Sequence, residues 1–139
     1  MLLLAVLVTA CRQAPATITS VTVGLQTVRV TEARTLEEQA KGLAGVSELS
    51  WNQGMIFPFP DKSKRTFWMK GMKIPIDIIW IADDTVVGIE RSAKVPSELV
   101  PDIALPRYTS PEPVNYVLEV RAGFADQFGI LIGDAVSVR

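Results

Sequence analysis

The chain has 139 residues, 48% hydrophobic and 21% charged, enough for one domain with a closed core and unlike a disordered chain. Fourteen Lys and Arg against fifteen Asp and Glu leave a net charge of −1, so no overall field favours nucleic acid or an anionic surface. With no histidine and one cysteine, a Ser-His or Cys-His nucleophile system, an internal disulfide and a multi-thiolate zinc site are excluded.

Residues 1–10 (MLLLAVLVTA) form an apolar run ending on a small residue, the pattern of a secretory signal segment. Val8-Thr9-Ala10-Cys11 resembles the bacterial lipobox, in which the cysteine is lipidated and becomes the new N-terminus. Acyl chains then replace the removed peptide as an anchor, at ~0.8 kcal/mol per buried methylene. The alternative is an N-terminal strand ending in an ordinary core cysteine. The first reading predicts a signal segment over 1–10, a polar tether over 11–17 and one β-rich domain over 18–139. It places that domain outside the cytoplasm, lipid-anchored at the bacterial cell envelope through Cys11.

From Ile18 to Val30, β-branched residues alternate in two phases, which a bulge or tight hairpin near Gly24–Thr27 reconciles. Thr35 and Glu38 have capping-box spacing, and Leu36, Ala40 and Leu43 follow as the apolar stripe of a short helix ended by Gly42 or Gly45. Strands are predicted at Met55–Phe59, Thr66–Lys70, Asp77–Ala82 and Val86–Arg91, the last two joined by an Asp83-Asp84 turn. Residues 94–113 carry five prolines and are predicted to run over the surface outside any ladder. Asn115–Arg121 alternates as a strand, Gly123–Gly129 reads as a helical turn or two with Phe124 and Phe128 at i, i+4, and Ala135–Arg139 is a last strand.

The segments EEQAKGL (Glu37–Leu43), GMIFPFP (Gly54–Pro60), FWMKGMKIPIDIIWI (Phe67–Ile81), YVLEVRAG (Tyr116–Gly123) and GILIGDAV (Gly129–Val136) together resemble the family known as domain of unknown function 192. The resemblance implies a mainly β, single compact domain of jelly-roll or barrel-like sandwich type with one or two short helices, often exported or lipid-anchored. It implies no activity.

Asp77 stands on the parity of Ile79 and Ile81, and an acid among buried apolar residues must be paired, hydrogen-bonded or protonated. Three readings stay open. It bonds turn amides of Lys70–Lys73, or it floors a pocket and binds a polar group with Lys70 nearby, or it is an acid or base. Trp68, flanked on its parity by Thr66 and Lys70, suits either a half-exposed aromatic platform or a core position, and Trp51 and Trp80 are further candidates. Met55, Met69 and Met72 fit core gap-filling better than copper binding. The expected ligand-binding set is therefore Trp68, Lys70 and Asp77, with Cys11 for lipidation and no catalytic residue, metal or cofactor. The leading functional expectation is a non-catalytic binding domain for an envelope glycan or an envelope protein, with no nucleic-acid partner. An envelope enzyme using Asp77 as acid or base, and a structural assembly factor without a ligand site, are the alternatives.

Overall fold

A computed structural model describes residues 17–139; the segment 1–10, Cys11 and the tether up to residue 16 lie outside it. Strand β1 (Ile18–Val23) turns through Gly24, at φ 57°, into antiparallel β2 (Gln26–Glu32). The two-residue turn absorbs the change of parity: Val21 pairs with Val28, so Val21, Val23, Val28 and Val30 all enter one core. Helix α1 (Leu36–Lys41) starts on the expected capping box, with Glu38 N–H donating to Thr35 Oγ1 at 3.1 Å and Thr35 N–H to Glu38 Oε2 at 2.8 Å. Gly42, at φ 51°, ends it. The apolar stripe does not pack as expected, for no residue of α1 is buried and only Leu43 beyond it reaches the core.

After α1 the chain returns as β3 (Gln53–Ser63), parallel to β2, so the helix is the crossover that a parallel pair requires. Then come β4 (Thr66–Trp68), β5 (Ile76–Ala82), β6 (Thr85–Ala93), β7 (Arg107–Thr109), β8 (Val114–Arg121), α2 (Phe124–Gln127) and β9 (Val136–Val138). Seven strands make one sheet in the order β6-β5-β8-β3-β2-β1-β9. It curls until its two edges meet at one end, where Val86 N–H donates to Asp134 O at 2.9 Å and Val136 N–H to Asp84 O at 2.7 Å. The result is a half-barrel, a way of covering edges that would otherwise template pairing. Most of residues 94–113 is irregular, but Arg107–Thr109 enters a ladder with β4, against the expectation for the proline-rich stretch. Gly88 lets that stretch pack down, since a Cβ there would stand 2.8 Å from Pro111 Cγ.

The central strands β3, β5 and β8 are buried on both faces. Ile56, Ile79, Ile81, Leu118 and Val120 point into the curl, where Phe124, Ala125 and Ile130 plug it. Phe57, Ile76, Ile78, Trp80 and Val117 face a second core under Met69, Met72 and Val114. Asp77 lies on the inner face and is fully buried. Its Oδ1 accepts from Ser92 N–H at 2.8 Å and Gly123 N–H at 3.1 Å, and its Oδ2 from Ala125 N–H at 2.9 Å. Ser92, at φ 51°, is in a bulge of β6, where the register slips between Ile76↔Ala93 and Ile78↔Glu90. The extra residue turns its amide onto the carboxylate.

Replacing Asp77 by Ala strips a partner from one buried and two part-buried amides and is expected to cost about 3–5 kcal/mol in urea unfolding. Gly54→Ala would set a methyl 2.6 Å from the Glu119 carbonyl oxygen and 3.0 Å from Val120 Cγ1. Overpacking of about 1–3 kcal/mol is expected in the same measurement.

Candidate functional site

Helix α1 stands off the outer face of the sheet, and the gap beneath it is a cleft of about 500 Å³. The unburied stripe explains it: Leu36, 86% exposed, and Ala40 look into the cleft instead of onto a core. Pro58 and Pro60 lie where the β3–β8 register breaks, between Pro58 and Ser63. β3 rejoins β8 at Ser63↔Val114, and the chain beyond it carries Lys64–Trp68 across to form the opposite wall. That wall is held by Arg65 N–H donating to Ser110 Oγ at 3.0 Å and Ser110 N–H donating to Arg65 O at 2.9 Å.

Four cations line the cleft, namely Lys41, Lys64, Arg65 and Lys70. Arg65 pairs with Asp61 at 2.9 Å and Lys70 pairs with Asp102, whereas Lys41 and Lys64 have no ion-pair partner among the described residues. The Arg107 guanidinium lies 4.4 Å from the centre of the Trp68 ring and Lys70 Nζ 5.2 Å from it, so the indole is a half-buried plate between cations. Arg65 stacks on Phe59 at 4.0 Å, and its Nε–H is buried without a hydrogen-bond partner.

Glu119 reaches the cleft from β8, on the outer face, 4% exposed. It is the one acid among the described lining residues. Burial pushes its carboxyl up from 4.5 to about 8, against the opposing pull of the Leu43 backbone amide. At neutral pH it is therefore mostly a carboxylic acid, able to donate as well as accept. Its Oε2 is buried without a hydrogen-bond partner. Gly42 keeps the approach open, since a Cβ there would sit 3.5 Å from that oxygen. On the other flank of α1 a wider hollow of about 840 Å³ is lined by Glu32, Glu37 and Glu38, with Lys41 on its border as well.

Of the expected binding set, the structure brings Trp68 and Lys70 together at the cleft and leaves Asp77 out of it. Asp77 bonds amides, as one reading held, but those of Ser92, Gly123 and Ala125 and not of Lys70–Lys73. Both its oxygens are spent and no solvent reaches it, so it is not a ligand-binding residue. Trp80 is a core residue at 3% exposure, stacked edge-on against Phe67. Trp51 is partnered elsewhere, with Arg121 and Phe128. Met69 and Met72 are buried core side chains, and Met55 packs against the same core. No group of three or more His, Cys, Asp or Glu positioned for a metal occurs among the described residues. Sequence reasoning passed over Glu119, although Val117, Leu118 and Val120 around it are apolar on both parities and mark a strand buried on two faces.

An acid with a raised native pKa binds more protons folded than unfolded, so its stabilising effect is present below about pH 4.5 and is lost as pH rises to about 8. Glu119→Gln removes this linkage. Between those pH values the wild-type protein should lose up to roughly 1.4 kcal/mol per pH unit relative to the Gln variant, read from paired urea titrations.

The structure is similar to a crystal structure from Novosphingobium aromaticivorans of a protein of unknown function, at TM-score 0.78 and 35% identity, covering 91% of this chain and 89% of that one. It is also similar to one from Sinorhizobium meliloti, described as a candidate transcription regulator, at TM-score 0.81 and 26% identity, covering 91% and 97%. No curated protein matches. The model of domain of unknown function 192, described as Uncharacterized ACR, matches residues 17–138. A match along nearly the whole chain, on a fold shared with those two structures, shows that the chain belongs to the DUF192 family.

Proposed function

We propose that this chain is a non-catalytic binding domain of the bacterial cell envelope, tethered through Cys11, that holds a glycan in the cleft under α1. The observation that carries the reading is the composition of that cleft. An aromatic plate, an unburied apolar helix stripe and two residues holding buried polar atoms without partners converge there from three separate parts of the chain. Saccharides present apolar ring faces beside dense hydroxyl groups, and a half-buried indole with polar neighbours suits them. Glycoside chemistry ordinarily needs a second carboxyl group within several ångströms of the first. Among the described residues lining the cleft Glu119 has no such companion, which favours recognition over turnover. Envelope location rests on the apolar segment 1–10 and the Val8–Cys11 lipobox pattern. No helix among the described residues is long and apolar enough to cross a membrane.

Titration with a panel of envelope and plant-type oligosaccharides, followed by the Trp68 indole N–H resonance, tests the cleft. Trp68→Ala should weaken binding about tenfold while leaving thermal stability near the wild-type value. Undiminished binding by that variant would exclude the cleft as the site. For the tether, radiolabelled palmitate should enter the wild-type protein in a bacterial host and be absent from Cys11→Ser; label retained by the variant refutes lipidation at this residue.

A further inference from the structure

We propose that the ligand carries a carboxylate, as a uronic-acid saccharide does, and that Glu119 at the cleft floor and Arg65 on its wall receive this group. The inference rests on the binding reading above and adds the chemical class of the ligand. Both residues stand out for the same reason: each lines the cleft and holds a buried polar atom that no other part of the described chain satisfies. Such atoms cost about 1–3 kcal/mol each when left unmatched, so a site that keeps two of them is waiting for a complement.

The complement is defined by what the two groups offer. Arg65 Nε–H is a donor and nothing else. Glu119, held mostly protonated at neutral pH by its burial, offers an O–H. Two donors call for an acceptor with two oxygens, and a planar carboxylate supplies them with one negative charge. The charge has its own partners at the rim, where Lys41 and Lys64 have no ion pair among the described residues. Neutral sugars would answer the Trp68 plate and the donors but bring no charge for those cations. A phosphate monoester would bring a second negative charge against the floor acid.

The titration of Glu119 then becomes a control on binding. The charged groups lining the cleft around it are Lys41 from α1, Lys64 and Arg65 at the approach to β4, and Lys70 beyond it, with Leu43 N–H facing the carboxyl and no second acid among the described lining residues. A uronate stays ionised throughout the neutral range, so loss of the Glu119 proton sets two negative charges together at the floor. Binding should weaken as pH rises past about 8.

Calorimetric titration of the full chain with tetragalacturonate at pH 6 and pH 9 tests this. Parallel arms use its methyl ester at pH 6, galactose 6-phosphate and N-acetylchitotetraose. Wild-type affinity for tetragalacturonate should fall about tenfold between the two pH values, and that for the ester at pH 6 should be lower by a similar factor. Glu119→Gln keeps a donor at every pH and should remove the pH dependence. Arg65→Lys, which keeps the charge and loses the Nε–H, should weaken acid binding about tenfold whether or not the Gln variant folds. An ester bound as well as the acid, a wild-type affinity equal at both pH values, or phosphate preferred over carboxylate would overturn the inference. Chitotetraose binding through Trp68 without acid binding would sink this inference alone, whereas no saccharide bound at all would sink the binding reading beneath it.

Discussion

Two buried acids stand one register step apart on the same pair of strands, facing opposite ways. Asp77 opposes Val120 and points into the curl; Glu119 opposes Ile78 and points out. Both lie where the sheet is covered on two sides, so neither has water to lean on and each must be answered from within. Asp77 is answered in full, by three amides from a bulge of β6 and the start of α2. Through those bonds the plug of the half-barrel is tied to its wall, and Arg91 adds a second tie to Asp126 at 2.7 Å. Glu119 keeps an oxygen with no partner, and burial holds it protonated. The same constraint thus makes one acid part of the scaffold and the other a candidate for recognition.

The cleft above Glu119 follows from two local features of the chain. A parallel β2–β3 pair needs a crossover, and α1 is short, capped at both ends and apolar only on the side that overhangs the sheet. Prolines at 58 and 60 deny amides to the ladder, so the β3–β8 register shifts there before it resumes at Ser63↔Val114 and the chain continues to β4. The small β4–β7 ladder then fixes Trp68 opposite Arg107, and the cation from the proline-rich stretch lies over the indole. Gly88 and Pro111 hold that stretch against the sheet, close to Trp80. The proline-rich segment is therefore a strut of the cleft wall, touching it through Arg107 on the Trp68 ring and Asp102 on Lys70.

Charge is sorted across α1 although the chain as a whole is nearly neutral. Lys64, Arg65 and Lys70 line one flank, where Glu119 is buried, and Glu32, Glu37 and Glu38 line the other, with Lys41 bordering both. A field of this kind is local, and it biases which charged groups approach each side without drawing the protein to polyanions in general.

Local signals determined much of this protein. The β-rich class, the capped helix with Gly42 at its end, the Asp83-Asp84 hairpin and the first hairpin at Gly24 all depend on neighbours in sequence, and each appears where its residues predict it. Trp68 and Lys70 were legible as neighbours, two residues apart, although β4 ends at Trp68 and Lys70 lies in the turn beyond it. Tertiary pairing decided the rest. Asp77 was conspicuous as an acid in an apolar run, yet its amide partners are 15 to 48 residues away, and only the closed curl brings them to it. Glu119 was inconspicuous in an ordinary strand, and it became the floor of a cleft only when α1 was carried over β8 by a crossover that no local pattern specifies. Periodicity reports which side of a strand a residue takes, while the packing of distant elements sets what waits on that side.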